Sequence, residues 1–485
     1  MTTMSFRIPL LLFVLLSSGL TAQRALQQVV TDFAETTVLR HALVGVDVRD
    51  VGSGRQLASY NADVSCIPAS TQKLITTGIA MDVLGSDYRF ATRLVAGGAV
   101  SDGQLSGDLY IVGGGDPTLG SDEMDGALPL AAVVDRWVAA VRGRGITRIS
   151  GAVVGDGSAY GTDGTPRGWA WSDLGNYYGA GAYGLNLHEN SYALTFAQRP
   201  REGSTPPVIA TEPRVPGLTF HNELRSGPRG SGDQAYIFGA PFNSEYFIRG
   251  SIPAGTGSFR IRGSIPDPAL LAAQLLTDRL EAAGVEVAGV AASHRSVSVA
   301  AGAEGDVLDE QFSPYLSEIV DRTNMRSVNL YAEALLREIN RRSGAEPAEL
   351  SDTEPVVDWL DRHGLPTEGV NLRDGSGLDG RNFFPPAFLT AFLVDRYGDE
   401  RWRESLPVAG RSGSLRNVLR GSVAEGRVSG KSGTINAVRC YAGYVERPDG
   451  RRLAYSIAVN NHTLPGSQVS SLIYGLMRDL CTAGL

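Results

Sequence analysis

Two residue types in this chain stand out for what they could do chemically. Only two lysines occur among 485 residues, Lys73 and Lys431, against 42 arginines. A guanidinium stays protonated at any working pH, whereas an ammonium can lose its proton once it is desolvated or set beside another cation. A chain that uses Arg for generic positive charge can reserve Lys for places where an amine must titrate; chance retention under a compositional bias is the plain alternative. Both lysines sit in motifs. Ser70-Thr71-Gln72-Lys73 sets a hydroxyl and an amine three residues apart, on one face of a helix. A neutral Lys73 could accept the Ser70 proton and make a nucleophile without histidine. A surface helix would carry the same pattern, but Leu74, Ile75, Ile79 and Met81 suggest a buried one. A buried amine without a purpose is costly.

The second motif, Lys431-Ser432-Gly433-Thr434, lies in a strand-like run. It offers a cation and two hydroxyls, a set suited to a carboxylate. Gly433 removes a side chain, so that a substrate could approach the strand backbone. Between the two lies Ser327-Val328-Asn329, just before a helical stretch. That tripeptide says little alone; the three motifs in this order say much more.

The elements that must position these residues are legible as periodicities. Ala25–Thr37 reads as a helix, with Leu26, Val29, Val30 and Phe33 on one face. Leu43–Val48 and Gln56–Tyr60 read as a hairpin about Gly52-Ser53-Gly54, and Pro68–Met81 reads as one helix. From about Ala91 to Gly263, short strand-like runs alternate with Gly, Pro and Asp, with one helix over Val133–Val141. Asp267-Pro268 opens a helix as N-cap and first-turn proline. Helices follow at Asn329–Arg341 and Val356–His363. Three strands, Gly426–Asn436, Cys440–Glu446 and Leu453–Asn460, precede a last helix with Val469, Leu472, Ile473, Leu476 and Leu480. Both chain ends therefore build one antiparallel sheet, and the middle is inserted.

Composition closes off other classes. Hydrophobic residues at 42% and charged residues at 20% are globular values, and the net charge of −8 gives no basic patch for nucleic acid. Arg7 followed by the apolar run Ile8–Leu16 and small residues to Ala22 reads as a secretory leader over residues 1–22, too short to span a membrane. Three cysteines, Cys66, Cys440 and Cys481, allow one disulfide or three buried thiols, and no spacing suits zinc. No Gly-x-Ser-x-Gly elbow occurs. Gly375–Gly380 has the Gly-x-Gly-x-x-Gly pattern but neither follows a strand nor opens a helix, so it reads as a loop.

On these motifs the chain resembles the low-molecular-mass class C penicillin-binding proteins, the D-alanyl-D-alanine carboxypeptidase/endopeptidase family. The resemblance covers nearly the whole mature chain. It includes Gly107–Thr118, Gly168-Trp169-Ala170-Trp171, Tyr177–Ala180, Asn324–Ala334, Asp374-Gly375-Ser376-Gly377-Leu378 and the 254-residue spacing from Lys73 to Ser327. It implies an α/β transpeptidase-like fold with a five-stranded antiparallel sheet flanked by helices, over residues 23–92 and 265–485. Mostly-β inserted domains would occupy 93–264.

By the same resemblance Ser70 is the nucleophile and Lys73 the base, with a pKa lowered partly by Lys431. Ser327 relays a proton to the leaving amine and Asn329 binds a substrate amide. Ser432 and Thr434 hold the terminal carboxylate, and the backbone N–H groups of Ser70 and Thr434 form an oxyanion hole. Asp156 and Tyr160 are candidates for side-chain recognition. The implied partners are peptidoglycan stem peptides, with β-lactams as covalent inhibitors. No cofactor, no nucleic acid and at most peripheral membrane contact are expected, in the periplasm or cell envelope. Two departures stand out: K-S-G replaces the usual K-T-G, and Gly380 with Arg381 stands where an Arg often follows the Gly-Leu. Two other readings share the fold: a β-lactamase or esterase, and a non-catalytic cell-wall binding protein.

Overall fold

The computed structural model describes residues 23–297, 299 and 304–484. The leader read over residues 1–22 lies outside the described residues. The chain forms two compact units. One takes the described residues of Met1–Ile79, Asp321–Ser327 and Val356–Leu485; the other takes Ala80–Val320 and Val328–Pro355.

The first unit is organised by a five-stranded sheet whose strands we number β1 (Leu43–Asp50), β2 (Gln56–Tyr60), β3 (Val428–Ile435), β4 (Val438–Glu446) and β5 (Arg452–Asn460). Their spatial order is β3-β4-β5-β1-β2, and every neighbouring pair is antiparallel. The two ends of the chain meet where β1 pairs with β5, from Leu43 opposite Asn460 to Asp50 opposite Leu453. Strand β5 is buried from Leu453 to Asn460, so it reads as a continuous apolar run rather than an alternating one. Pro448-Asp449-Gly450 makes the turn into it. Gly450 sits at φ +83°, and the Asp449 carboxylate accepts from the Arg451 N–H at 3.0 Å.

Helices cover the sheet. Val469, Ile473, Leu476 and Leu480, spaced to one face of the Gly466–Thr482 helix, pack with Leu26 and Val30 of the helix over 23–34 against Val46, Val48, Ile457 and Val459. Each such side chain contributes roughly 1.5–3 kcal/mol on burial. The Pro386–Arg396 helix packs against β1 and β5. Cys66, Cys440 and Cys481 are all free and buried, the outcome in which they serve as small apolar side chains. Burial pushes the Cys66 thiol up to about 11.

The second unit is mainly sheet. A five-stranded sheet joins Ala91–Ala96, Leu109–Gly113 and Val153–Asp156 with Ala292–Ser293 and Asp306–Phe312. The Leu130–Gly143 and Pro268–Ala282 helices share its core through Val133, Trp137, Val141, Leu271, Leu276 and Leu280. Asp267 caps the second of these by accepting the Leu270 N–H at 2.9 Å, with Pro268 in the first turn. Three- and four-stranded sheets complete the unit. Glu333 and Glu338 of the Asn329–Arg342 helix are buried, at 2% and 0% exposure. Glu338 accepts from the Tyr88 and Tyr160 hydroxyls and pairs with Arg341.

Candidate active site

The segment carrying Ser70 is not one helix. Ala69–Gln72 is a 3₁₀ turn, and the α-helix begins at Lys73 and runs to Leu84. In a 3₁₀ turn side chains at i and i+3 eclipse, whereas on an α-helix they are offset. The tighter winding therefore improves the pairing that the spacing suggested: Lys73 Nζ lies 2.9 Å from Ser70 Oγ. Ala69 enters the turn in the left-handed region, φ +46°. Leu74, Ile75 and Ile79 are buried, as is Lys73 at 0% exposure.

Strand β3 lies against this turn. A Cβ at Gly433 would stand 2.5 Å from Pro68 O and 3.0 Å from the backbone nitrogens of Ser70 and Thr71. On the side where its Cβ would stand, Gly433 is approached closely by the protein's own Ala69–Gln72 turn. Two positions earlier, Lys431 is also fully buried. Its Nζ donates to Ser327 Oγ at 2.8 Å and to the Ser432 carbonyl at 2.8 Å. Ser327 is held at φ +60° between two helices. Burial, and then the charge of Lys73, push Lys431 well below the ordinary lysine value. The site therefore contains two hydroxyl–amine pairs, Ser70 with Lys73 and Ser327 with Lys431, in which the two ammonium forms disfavour each other.

Ser432 and Thr434 follow on β3, half-buried and exposed respectively. Asn329, Asp156 and Tyr160 belong to the second unit. Asn329 opens the Asn329–Arg342 helix and donates to the Tyr178 carbonyl at 2.8 Å. Asp156 ends its strand and accepts the Ser158 N–H at 2.9 Å. The Tyr160 ring is buried, and its hydroxyl bonds Glu338 at 3.2 Å.

Two contributors had no signature in the sequence. Ser414, in a short turn, lies 3.1 Å from Ser432 Oγ, hydroxyl to hydroxyl. The Ser376 carbonyl accepts from Lys73 Nζ at 2.7 Å. A backbone carbonyl carries no residue code; only the Asp374-Gly375-Ser376-Gly377 pattern hinted that this loop had a task.

A family model described as the D-Ala-D-Ala carboxypeptidase 3 (S13) family matches residues 24–478. A D-alanyl-D-alanine carboxypeptidase of Actinomadura sp. (strain R39) is 30% identical over 456 residues, 89% of this chain and 80% of that protein. The D-alanyl-D-alanine carboxypeptidase DacB of Haemophilus influenzae is 24% identical over 429 residues, covering 87% and 86%. Among solved structures, penicillin binding protein 4 (dacB) from Haemophilus influenzae is similar in fold, with a TM-score of 0.79 at 22% identity over 93% of this chain and 98% of that one. The match runs through both lysine motifs and the S-x-N between them, so the chain belongs to the D-Ala-D-Ala carboxypeptidase 3 (S13) family and is a serine-type D-Ala-D-Ala carboxypeptidase.

Proposed function

We propose that Ser70 is the acylated nucleophile in cleavage of peptidoglycan stem peptides, and that the same site opens peptide cross-links. Lys73 takes the Ser70 proton as Oγ bonds the carbonyl carbon between the two D-alanines. The Ser70 and Thr434 N–H groups hold the developing oxyanion. Ser327, bonded to Lys431, passes a proton to the leaving nitrogen; the C–N bond breaks and D-alanine departs. Water then hydrolyses the ester and frees Ser70. Ser432 and Thr434 hold the terminal carboxylate. Ser414 steadies Ser432, whose hydroxyl lacks the methyl that would fix a threonine rotamer. Asn329 binds a substrate amide, and Asp156 and Tyr160 contribute to side-chain recognition. In domain terms, residues 23–92 and 265–485 form the catalytic part, and 93–264 form inserts. The leader over residues 1–22 directs export to the cell envelope.

The observation that carries this reading is the 2.9 Å contact between Ser70 Oγ and a fully buried Lys73 Nζ. β-Lactams are covalent inhibitors in this reading, because their carbonyl mimics the scissile one. Intact-mass spectrometry after mixing with penicillin tests it. One penicilloyl group on the Ser70 peptide, persisting for minutes while muropeptides lose D-alanine quickly, is the expected result. Rapid return to unmodified mass with release of penicilloic acid would make the protein a β-lactamase. The absence of any adduct would remove Ser70 as nucleophile.

A further inference from the structure

The loop at Asp374–Gly377 grips the start of the nucleophile helix in an ordered way. Three successive carbonyls each accept from a different side chain of that helix start. Asp374 O accepts from Gln72 Nε2, Gly375 O from Thr76 Oγ1 at 2.6 Å, and Ser376 O from Lys73 Nζ at 2.7 Å. Gly377 completes the fit: it sits at φ +79°, and a Cβ there would stand 2.0 Å from Ala69 O. The loop has no regular secondary structure. What fixes it is the Asp374 carboxylate, only 2% exposed. Its Oδ1 accepts from Gly377 N at 2.7 Å and Asn382 Nδ2 at 2.9 Å, and Oδ2 accepts from Asp379 N at 2.7 Å.

A neutral amine has two N–H bonds and one lone pair. A carbonyl can only accept, so an N–H of Lys73 must point at Ser376 O whenever that contact is made. Fixing that N–H restricts where the lone pair can point, and Ser70 Oγ is the hydroxyl at 2.9 Å. From this we infer that Asp374 is a positioning residue for the acylation step: through the Ser376 carbonyl it turns the Lys73 lone pair toward Ser70. The inference rests on Lys73 being the base. The carbonyl also stabilises the charged amine, so moving it away lowers the Lys73 pKa.

The test compares three variants by the rate of penicillin acylation against pH, with non-covalent penicillin affinity measured separately. Asp374→Asn keeps one acceptor but puts an NH₂ against an N–H on the other side. It should slow acylation about tenfold or more, a fraction of the full general-base contribution. The acid limb should move to lower pH, and affinity should hold. Thr76→Val changes no charge and removes only the bond to Gly375 O; it should show the same direction with a smaller size, and it decides the matter if Asp374→Asn does not fold. Lys73→Arg should acylate about 10²–10⁴-fold more slowly. Unshifted limbs in both Asp374→Asn and Thr76→Val, with Lys73→Arg severely slowed, overturn the positioning role alone. A shift in Asp374→Asn without one in Thr76→Val would be an effect of charge and also overturns it. Normal acylation by Lys73→Arg removes the base, and the inference with it.

Discussion

The β3–β4 hairpin and the turn that follows it bury two cations in opposite ways. Lys431, on β3, has a serine hydroxyl and a carbonyl as partners. Arg447, just past β4, is 1% exposed and donates to the carbonyls of Leu480 at 2.5 Å and Ala483 at 2.6 Å, closing the end of the last helix. Burial lowers both, with Lys73 adding to it at Lys431 and Arg451 at Arg447. The consequences differ because a guanidinium starts so high that it stays charged, while an ammonium can give up its proton. Where a permanent positive charge is enough to hold helix carbonyls, the chain uses Arg. Where the function proposed above has protons move among hydroxyls, it keeps its two lysines.

The contrast can be broken most sharply at Lys73. Lys73→Arg should lower penicillin acylation by about 10²–10⁴-fold while the circular dichroism spectrum and cooperative unfolding are retained, since Arg keeps the charge and cannot accept the proton. Lys431→Arg should lose about an order of magnitude less, because an electrostatic anchor tolerates another cation better than a base does. Equal, small losses at both would dissolve the division of roles. At the other site the signs reverse. Arg447→Lys should cost about 1–3 kcal/mol in urea unfolding, as one ammonium cannot reach both carbonyls, and leave acylation per folded molecule unchanged. A loss of acylation there would erase the distinction.

The smallest effect sharpens the comparison through pH. Lys431 holds its proton less tightly in the folded chain than in the unfolded one, where lysine sits near 10.4. Between those two values the unfolded chain binds more protons, so this group makes stability rise with pH. Lys431→Met should flatten that rise in urea midpoints measured below about pH 10, above which buried tyrosines such as Tyr455, raised from their usual value, act in the opposite sense. An unchanged slope would mean that Lys431 is not depressed.

What could be read beforehand followed from local rules. The hairpins at Gln56–Tyr60 and Arg452–Asn460, the Asp267 cap and the apolar face of the last helix announce themselves through period and turn chemistry. The two amines were visible because lysine is so rare here. The 3₁₀ entry at Ala69–Gln72 was not, since strand β3 at Gly433, far along the chain, shapes what the local sequence leaves as helix. Ser414 and the Ser376 carbonyl were equally hidden: one is a serine among many, the other a backbone atom. The burial of Glu338 has no local signal either, because its hydroxyl partners, Tyr88 and Tyr160, lie 250 and 178 residues away.

The pairing of β1 with β5 joins residues roughly 400 positions apart. During synthesis β1 and β2 emerge early and wait, one edge unpaired, until nearly the whole chain exists; non-local pairing of this kind folds slowly, and open edges invite wrong partners. Strand β3, with the glycine against which the Ser70 turn rests, arrives just as late. A chain clipped or stalled before its last sixty residues would carry Ser70 and Lys73 yet lack the wall they stand against. On the function proposed above, penicillin capture would mark chains that include β3, and a fluorescent penicillin would report those while passing over shorter fragments.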